Sequence, residues 1–380
     1  GKRLDKKIIK AVFAKILEHH DSLRMCYKTG ANPDEKSGTG QDQSKARGRG
    51  DGEILHANPG PVSQVHQVNR GTKESTLFDL TVIDMTGKKD QDMNTLAQRI
   101  NRGIDIENGP LVRLGLFKTG SGDYLLVVIH HLVVDGISWR ILLEDFETGY
   151  AQAEQKEEIK FQEKTDSYQY WAQRLLQYAS SPNATKELDF WQQNEKKPVE
   201  KLPKDHEITA KQKIFKNRET MLMHLTPHET EELLKDANFA YNTEINDLLL
   251  AALGIGIQEW CGINKISINL EGHGRESIME DMNISRTVGW FTSQYPLVLD
   301  MEPQPSPDPD HPASHLVRCL RQVKETLRRV PNKGIGYGIL KYLTPRTGKN
   351  TVPFELKPEI SFNYHGKLEA EKMGEMTKRY

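Results

Sequence analysis

The sequence has 380 residues, 36% of them hydrophobic and 28% charged, which suits two or three domains, or one large bilobed unit, with real cores and some solvated loops. Its 52 basic and 53 acidic side chains leave a formal net charge of -1, so no global field favours nucleic acid or an anionic membrane. No apolar run is longer than six residues, Tyr124–Ile129 among them, which is strand-sized against the roughly 20 residues a membrane-spanning helix needs.

Cys26, Cys261 and Cys319 are odd in number, far apart and without a CxxC pattern. That argues against a disulfide framework or a zinc knuckle. No basic segment followed by an apolar one opens the sequence, so no secretory signal is expected, and a reduced, cytoplasmic globular protein is the expectation.

In residues 6–20 the pairs Ile8/Ile9, Val12/Phe13 and Ile16/Leu17 recur four apart, the spacing of an amphipathic helix. A strand is predicted over Leu23–Tyr27. Thr29–Glu53 offers almost nothing to bury and is expected to be a mobile surface loop. Its mixed charge, Lys45, Arg47 and Arg49 against Asp34, Glu35 and Asp51, fits a solvated excursion better than a basic arm. Residues 92–102 read as a helix with Leu96 and Ile100 on one face. Leu111–Phe117 and Tyr124–Ile129 read as strands joined by a hairpin at Gly120-Ser-Gly-Asp123. The second strand runs straight into His130 and His131, and a helix is predicted from near Ser138.

Residues 151–165 are dominated by Gln, Glu and Lys, a shift that divides the chain into an expected N-terminal lobe, 1–165, and connecting helices with a C-terminal lobe, 166–380. A helix over Ser167–Ala179 carries Tyr168, Trp171 and Leu175. The pattern restarts after Pro203. Thr226-Pro-His-Glu229 matches a capping box with proline at the first helical position. Asn246–Trp260 reads as an apolar helix, and Ile266–Leu270 as a buried strand. Met301–Pro312, with prolines at 303, 305, 307, 309 and 312, is an expected loop. Leu316, Leu320, Val323, Leu327 and Val330 form a helical stripe stopped by Pro331. No internal repeat is present.

Two polar clusters stand at predicted strand ends. In His130-His131-Leu-Val-Val-Asp135-Gly136 an imidazole, able to exchange protons near neutrality, is positioned as a base. Asp135 could orient it or brace the turn through an arginine, and Gly136 would let the chain bend before the helix. Taken alone, the same spacing equally fits a pair of core histidines. In Glu271-Gly272-His273-Gly274-Arg275-Glu276 the glycines allow close backbone approach, and a partly desolvated carboxylate can serve as acid or base. Taken alone, this string reads more readily as a charged turn. A metal site is disfavoured, because the histidines lack the i, i+4 helical spacing and no cysteine is nearby.

The clusters together carry a resemblance. His130-His131-Leu-Val-Val-Asp135-Gly136-Ile-Ser-Trp-Arg-Ile-Leu resembles the signature of the condensation superfamily of nonribosomal peptide synthetases, and the remaining motifs look like those of its epimerization domains. These are Glu271–Glu276, Arg286-Thr-Val-Gly-Trp-Phe-Thr-Ser-Gln-Tyr-Pro296, Pro331-Asn-Lys-Gly-Ile-Gly-Tyr-Gly-Ile-Leu340 and Phe362-Asn-Tyr-His-Gly366. Asp247–Ala251 and His19-His20-Asp21-Ser-Leu-Arg24 match two further motifs. The resemblance covers nearly the whole chain. It departs at the start, where the family's Pro-Ile-Gln is absent, and at His365 and Lys367, where Leu and Gln are usual. The end follows soon after Gly366, so both ends are expected to be truncated.

The resemblance implies an α/β fold of two chloramphenicol acetyltransferase-like lobes in a V, each with a mixed β-sheet flanked by helices. It implies inversion of L to D at the α-carbon of an aminoacyl or peptidyl thioester, carried on the phosphopantetheine arm of a carrier protein, through an enolate. His131 and Glu271 would be the catalytic pair, one from each lobe. His130, Asp135, Gly136, Arg275 and Tyr364 would support them, with Asp135 and Arg275 as an ion pair. Ser138, Trp139, Trp290, Ser293 and Asn363 are candidates for the substrate channel. No metal and no cofactor of the domain's own is expected. The expected partners are an upstream peptidyl carrier protein and a downstream condensation domain. A peptide-bond-forming condensation domain and an inactive carrier-docking module are the alternatives.

Overall fold

The structure, a computed structural model, describes residues 3–29, 65–73, 76–209, 212, 214–302, 313–344 and 352–366. The expected loop Thr29–Glu53 lies, past Thr29, outside the described residues. The same holds for positions 303–312 of Met301–Pro312 and for Lys367. Among the described residues, one compact unit falls within Gly1–Tyr168 together with Asn283–Trp290, and a second within Gln169–Met282 and Phe291–Leu368.

The first unit runs α1 (Lys6–His19), β1 (Met25–Thr29), β2 (Val65–Asn69), β3 (Asp79–Asp84), α2 (Asp90–Asn101), β4 (Val112–Lys118), β5 (Asp123–Ile129) and α3 (Gly136–Glu154). Asp5 caps α1, its side chain accepting from the amides of Lys7 and Ile8, and Ile9, Val12, Phe13, Ile16 and Leu17 form the buried face. That face packs in one core with Ile141, Leu142, Phe146 and Tyr150 of α3 and with Leu114 and Leu116 of β4. β3 pairs parallel and β5 antiparallel with β4, giving a mixed sheet with β4 in the centre. The central strand is buried over nearly its whole length, as the middle of a sheet must be.

The predicted strand over Leu23–Tyr27 begins later than expected. Leu23 and Arg24 belong to a 3-10 turn, Asp21–Arg24. The reason is the Arg24 guanidinium, which donates to the carbonyls of Leu17 and Glu18 and pairs with Asp21 at 2.9 Å. It satisfies the orphan acceptors that the end of α1 leaves behind.

The second unit runs α4 (Tyr168–Ala179, its first residue belonging to the first unit), α5 (Pro182–Thr185), α6 (Leu188–Glu195), α7 (Pro227–Leu234), α8 (Asp236–Tyr241), α9 (Ile245–Cys261), β6 (Lys265–Gly272), β7 (Ser293–Asp300), α10 (Ala313–Arg328), α11 (Ile335–Tyr342) and β8 (Ile360–Phe362). The capping box of α7 is present: Thr226 accepts from the Glu229 amide, and Glu229 accepts from the Thr226 amide. In α10 the buried stripe is Cys319, Leu320 and Val323, whereas Leu316 is exposed and Val330 is buried beyond the helix end. The sheet order is β7-β6-β8, with β7 antiparallel and β8 parallel to β6. β7 and β8 carry no strand prediction above. β7 holds Pro296, which an edge strand tolerates, and β8 is only three residues long.

Trp191 is fully buried at the centre of this core. Its ring meets those of Phe190, Tyr337 and Tyr295 at centroid separations of 4.9, 5.0 and 5.9 Å. Its indole N–H donates at 3.0 Å to Glu187, whose other oxygen accepts from Asn332 at 2.7 Å. Burial pushes the Glu187 carboxyl above the ordinary carboxylate range, and the two donors offset this only in part.

A Cβ on Gly336 would lie 1.9 Å from Glu187 Oε2. Alanine elsewhere inside a helix gains about 1 kcal/mol over glycine. Gly336→Ala should instead destabilise the protein by roughly 1–3 kcal/mol, the usual cost of overpacking, read as a lowered urea midpoint.

Candidate functional site

β5 delivers the first cluster. The His130 amide donates to Leu111 at 3.0 Å, continuing the line of the β4–β5 ladder. His130 Nδ1 accepts from the Leu132 amide at 3.2 Å and caps the 3-10 turn His131–Val133. That leaves Nε2 to carry the proton of the neutral ring. His130 is half-buried, while His131 is exposed. The His131 ring tilts by 56° against the indole of Trp290, with centroids 5.1 Å apart.

Asp135 is buried and caps α3, accepting from the Ser138 amide at 2.7 Å. The conformation at Gly136 does not require a glycine. It lies outside the left-handed region, and nothing stands within 4 Å of the place a Cβ would take. Ser138 is fully buried rather than open to a channel. Its hydroxyl donates to the Gly289 carbonyl at 2.9 Å and accepts from the Gly289 amide at 3.1 Å. Trp139 is half-buried against the core of the first unit.

Ser138 is one of several anchors on Asn283–Trp290, the segment that joins the first unit from far along the chain. Ser22 donates to the Val288 carbonyl. Asp166 and Asn283 exchange hydrogen bonds at 2.8 Å. Thr287 donates to the Asp166 carbonyl at 2.6 Å, and Tyr168 to that of Trp290 at 2.9 Å. Arg286 pairs with Asp145 at 2.6 Å and Glu144 at 2.8 Å, while Asp145 also bonds the buried His20 at 2.7 Å. Burial of polar groups is tolerated only with partners, and this segment has them along its length. They hold the backbone that sets Trp290 against His131.

The second cluster begins inside a strand, not after one. β6 continues through Glu271 to Gly272. Leu270 faces the core, so Glu271 points to the opposite side and is half-buried. Its two oxygens are held separately. Gln294, directly opposite on β7, donates to Oε1 at 2.8 Å, and Asn363, just past β8, donates to Oε2. Gln294 is the residue that sequence reading missed. It lies 23 positions from Glu271, and only the strand register makes them neighbours. Asn363 was a channel candidate, and the structure adds its bond to Glu271.

Gly274 does require glycine. It has φ +67°, and a Cβ there would lie 1.6 Å from the Phe291 carbonyl oxygen. That close approach sets the Arg275 guanidinium 3.9 Å over the Phe291 ring, a cation–π contact. His273 accepts from the Arg275 amide at 3.0 Å and meets Glu276 at 3.2 Å. Ser293 Oγ, beside Gly272 in the ladder, is buried and has no hydrogen-bond partner among the described residues. Asn363 and Tyr364 are exposed. The expected Asp135–Arg275 ion pair joins residues of different units and remains a proposal. Among the described residues no group of three or more His, Cys, Asp or Glu side chains is placed to hold a metal, and no helix is long and apolar enough to cross a membrane.

The family model of the condensation domain matches residues 60–379. Gramicidin S synthase 1 of Brevibacillus brevis is 46% identical over 99% of this chain and 30% of its own length. Tyrocidine synthase 1 of Brevibacillus parabrevis is 43% identical over 99% of this chain and 31% of its own. The chain thus spans under a third of either synthase. The crystal structure of the epimerization domain from the third module of tyrocidine synthetase B superposes with a TM-score of 0.81 at 41% identity, covering 96% of this chain and 74% of that one. The chain belongs to the condensation domain family, as an epimerization domain of the nonribosomal peptide synthetase type with the chloramphenicol acetyltransferase-like fold.

Burial, and then the neighbouring His131, hold His130 below the ordinary imidazole range. The unfolded chain therefore takes up this proton first as pH falls. The contribution of His130 is neutral at high pH and becomes destabilising as pH drops through about 6.5. His130→Asn keeps an acceptor for the Leu132 amide and removes the titration. Its urea midpoint should fall less than that of the wild type between pH 7.5 and 5.5.

Proposed function

We propose that this chain inverts the α-carbon of the terminal residue of an aminoacyl or peptidyl thioester held on the phosphopantetheine arm of a carrier protein. The observation that carries this reading is that each unit presents one proton-bearing side chain at a strand end: exposed His131 past β5, and Glu271 at the next-to-last position of β6. A thioester carbonyl acidifies the adjacent C–H. Inversion removes that proton from one face, leaves a planar enolate, and returns a proton to the other face, which calls for two proton carriers. His131 and Glu271 are those carriers in this proposal.

The remaining assignments follow the same reading. His130 and Asp135 fix the backbone that presents His131, and Ser138 locks the start of α3 to Gly289. Arg275, held over Phe291, is the proposed partner of Asp135. Trp290, Ser293, Asn363 and Tyr364 are the proposed substrate contacts. The unpartnered Ser293 hydroxyl beside the Glu271 strand end supports this, since a buried polar atom without a partner is rare. The chemistry moves protons between side chains and substrate and uses no cofactor of the domain's own. An upstream carrier protein and a downstream condensation domain are the proposed partners, in the cytoplasm.

The test loads a carrier protein separately with L- and D-aminoacyl groups in deuterated water and follows both configuration and deuterium at Cα. Glu271→Gln keeps the shape and loses the titrating proton, so carrier binding should persist while inversion falls by roughly 100-fold or more. If each residue serves one face, Glu271→Gln and His131→Ala should each leave exchange in only one starting enantiomer. Unchanged inversion in both variants removes the two residues from the mechanism. A peptide product, or carrier binding without any exchange by the wild type, would overturn the epimerase reading.

A further inference from the structure

Gln294 and Glu271 face each other across the β7–β6 ladder, with the amide donating to Oε1 at 2.8 Å. Asn363 donates to the other oxygen from the far side of the strand. An ionised carboxylate offers about four lone-pair directions. The two amides occupy one on each oxygen and leave the others open to substrate. A free glutamate side chain samples many rotamers, because its chain is long and its terminal torsion is soft. Two donors on opposite oxygens fix the plane of the carboxylate as well as its position. Primary amides suit the task chemically: they donate hydrogen bonds and do not titrate in the physiological range, so they orient the carboxylate without competing for the proton in transit.

We infer that Gln294 is a positioning residue for Glu271, holding its carboxylate plane toward the reacting carbon. The inference rests on the reading of Glu271 as a proton carrier. In that step the Cα–H bond breaks, the proton goes to a carboxylate oxygen and the electron pair passes into the thioester carbonyl. Reprotonation forms the new Cα–H bond and returns the pair. Gln294 touches neither the proton nor the carbon. It sets where the accepting lone pair points, and misplacement by a fraction of an ångström costs rate rather than binding. Gln294 is exposed at the end of an edge strand, so it adds little to the core.

The test uses the chain with a carrier protein charged in turn with L-alanine, L-leucine and L-phenylalanine, and takes the best-turned-over substrate. Gln294→Met keeps the length and deletes the donor. It should lower kcat roughly 10–100-fold, with KM within about twofold and an unchanged melting temperature. Gln294→Glu keeps the shape but cannot donate while ionised, and it sets a second carboxylate against the first. Its kcat relative to wild type should recover as pH falls and the new carboxyl takes up a proton that it can donate, whereas Gln294→Met should show no recovery. A merely structural role would not produce that difference. Adding Gln294→Met to Glu271→Gln should cost nothing further. Wild-type kcat in Gln294→Met, a loss that follows KM or melting temperature, or the absence of recovery in Gln294→Glu would overturn the assignment. An inactive Glu271→Gln beside a fully active Gln294→Met defeats the positioning role alone. A fully active Glu271→Gln defeats the proton-carrier reading and the positioning role with it.

Discussion

The ladder that seats β6 between β7 and β8 is the interaction on which the second unit depends. Side chains alternate across a strand, so Ile266, Ile268 and Leu270 enter the core that surrounds Trp191 while Glu271 turns the other way. A slip of one residue would carry the carboxylate into that core and Leu270 out of it. The hydrophobic contacts therefore fix the register, and the register in turn brings Gln294 and Asn363 to the two oxygens of Glu271. Polar geometry at the strand end is a consequence of apolar packing along the strand.

The first unit reaches a comparable result by different means. There Trp290 is held through polar bonds, some of them buried. Ser138, Thr287, Asp166 and the Arg286–Asp145–His20 chain bind Asn283–Trp290 by backbone and side chain alike. Removing one partner of a buried charged pair leaves the other uncompensated, at a typical cost of about 3–5 kcal/mol. Such a network specifies one arrangement of Trp290 rather than contributing much net stability. His131 itself is exposed and takes no part in this network, its ring resting against Trp290.

In both units a group with little structural duty is carried by backbone that has a great deal. His131 follows a half-buried histidine that caps its turn, and Glu271 follows a buried leucine in a three-stranded sheet. Rigid elements hold side chains more accurately than loops do.

Much of this was legible in the sequence. Local signals identified α1 from its paired apolar spacing, the β4–β5 hairpin from its glycine turn, α7 from its capping box, and both polar clusters from their composition. Each of these depends on residues a few positions apart, whose physics is the same in any fold. What tertiary structure decided was everything that depends on distant partners. β7 and β8 were not evident, because one contains a proline tolerated only at a sheet edge and the other is too short for periodicity. Gly136 was expected to let the chain bend before α3, yet its conformation does not require a glycine, and Asp135 caps the helix there. Ser138 looked accessible, and Gly289 buries it. Gln294 lies within the Arg286–Pro296 motif, but nothing in that motif points to Glu271, since their meeting is set by strand register, and register is chosen by the burial of the whole sheet rather than by either residue.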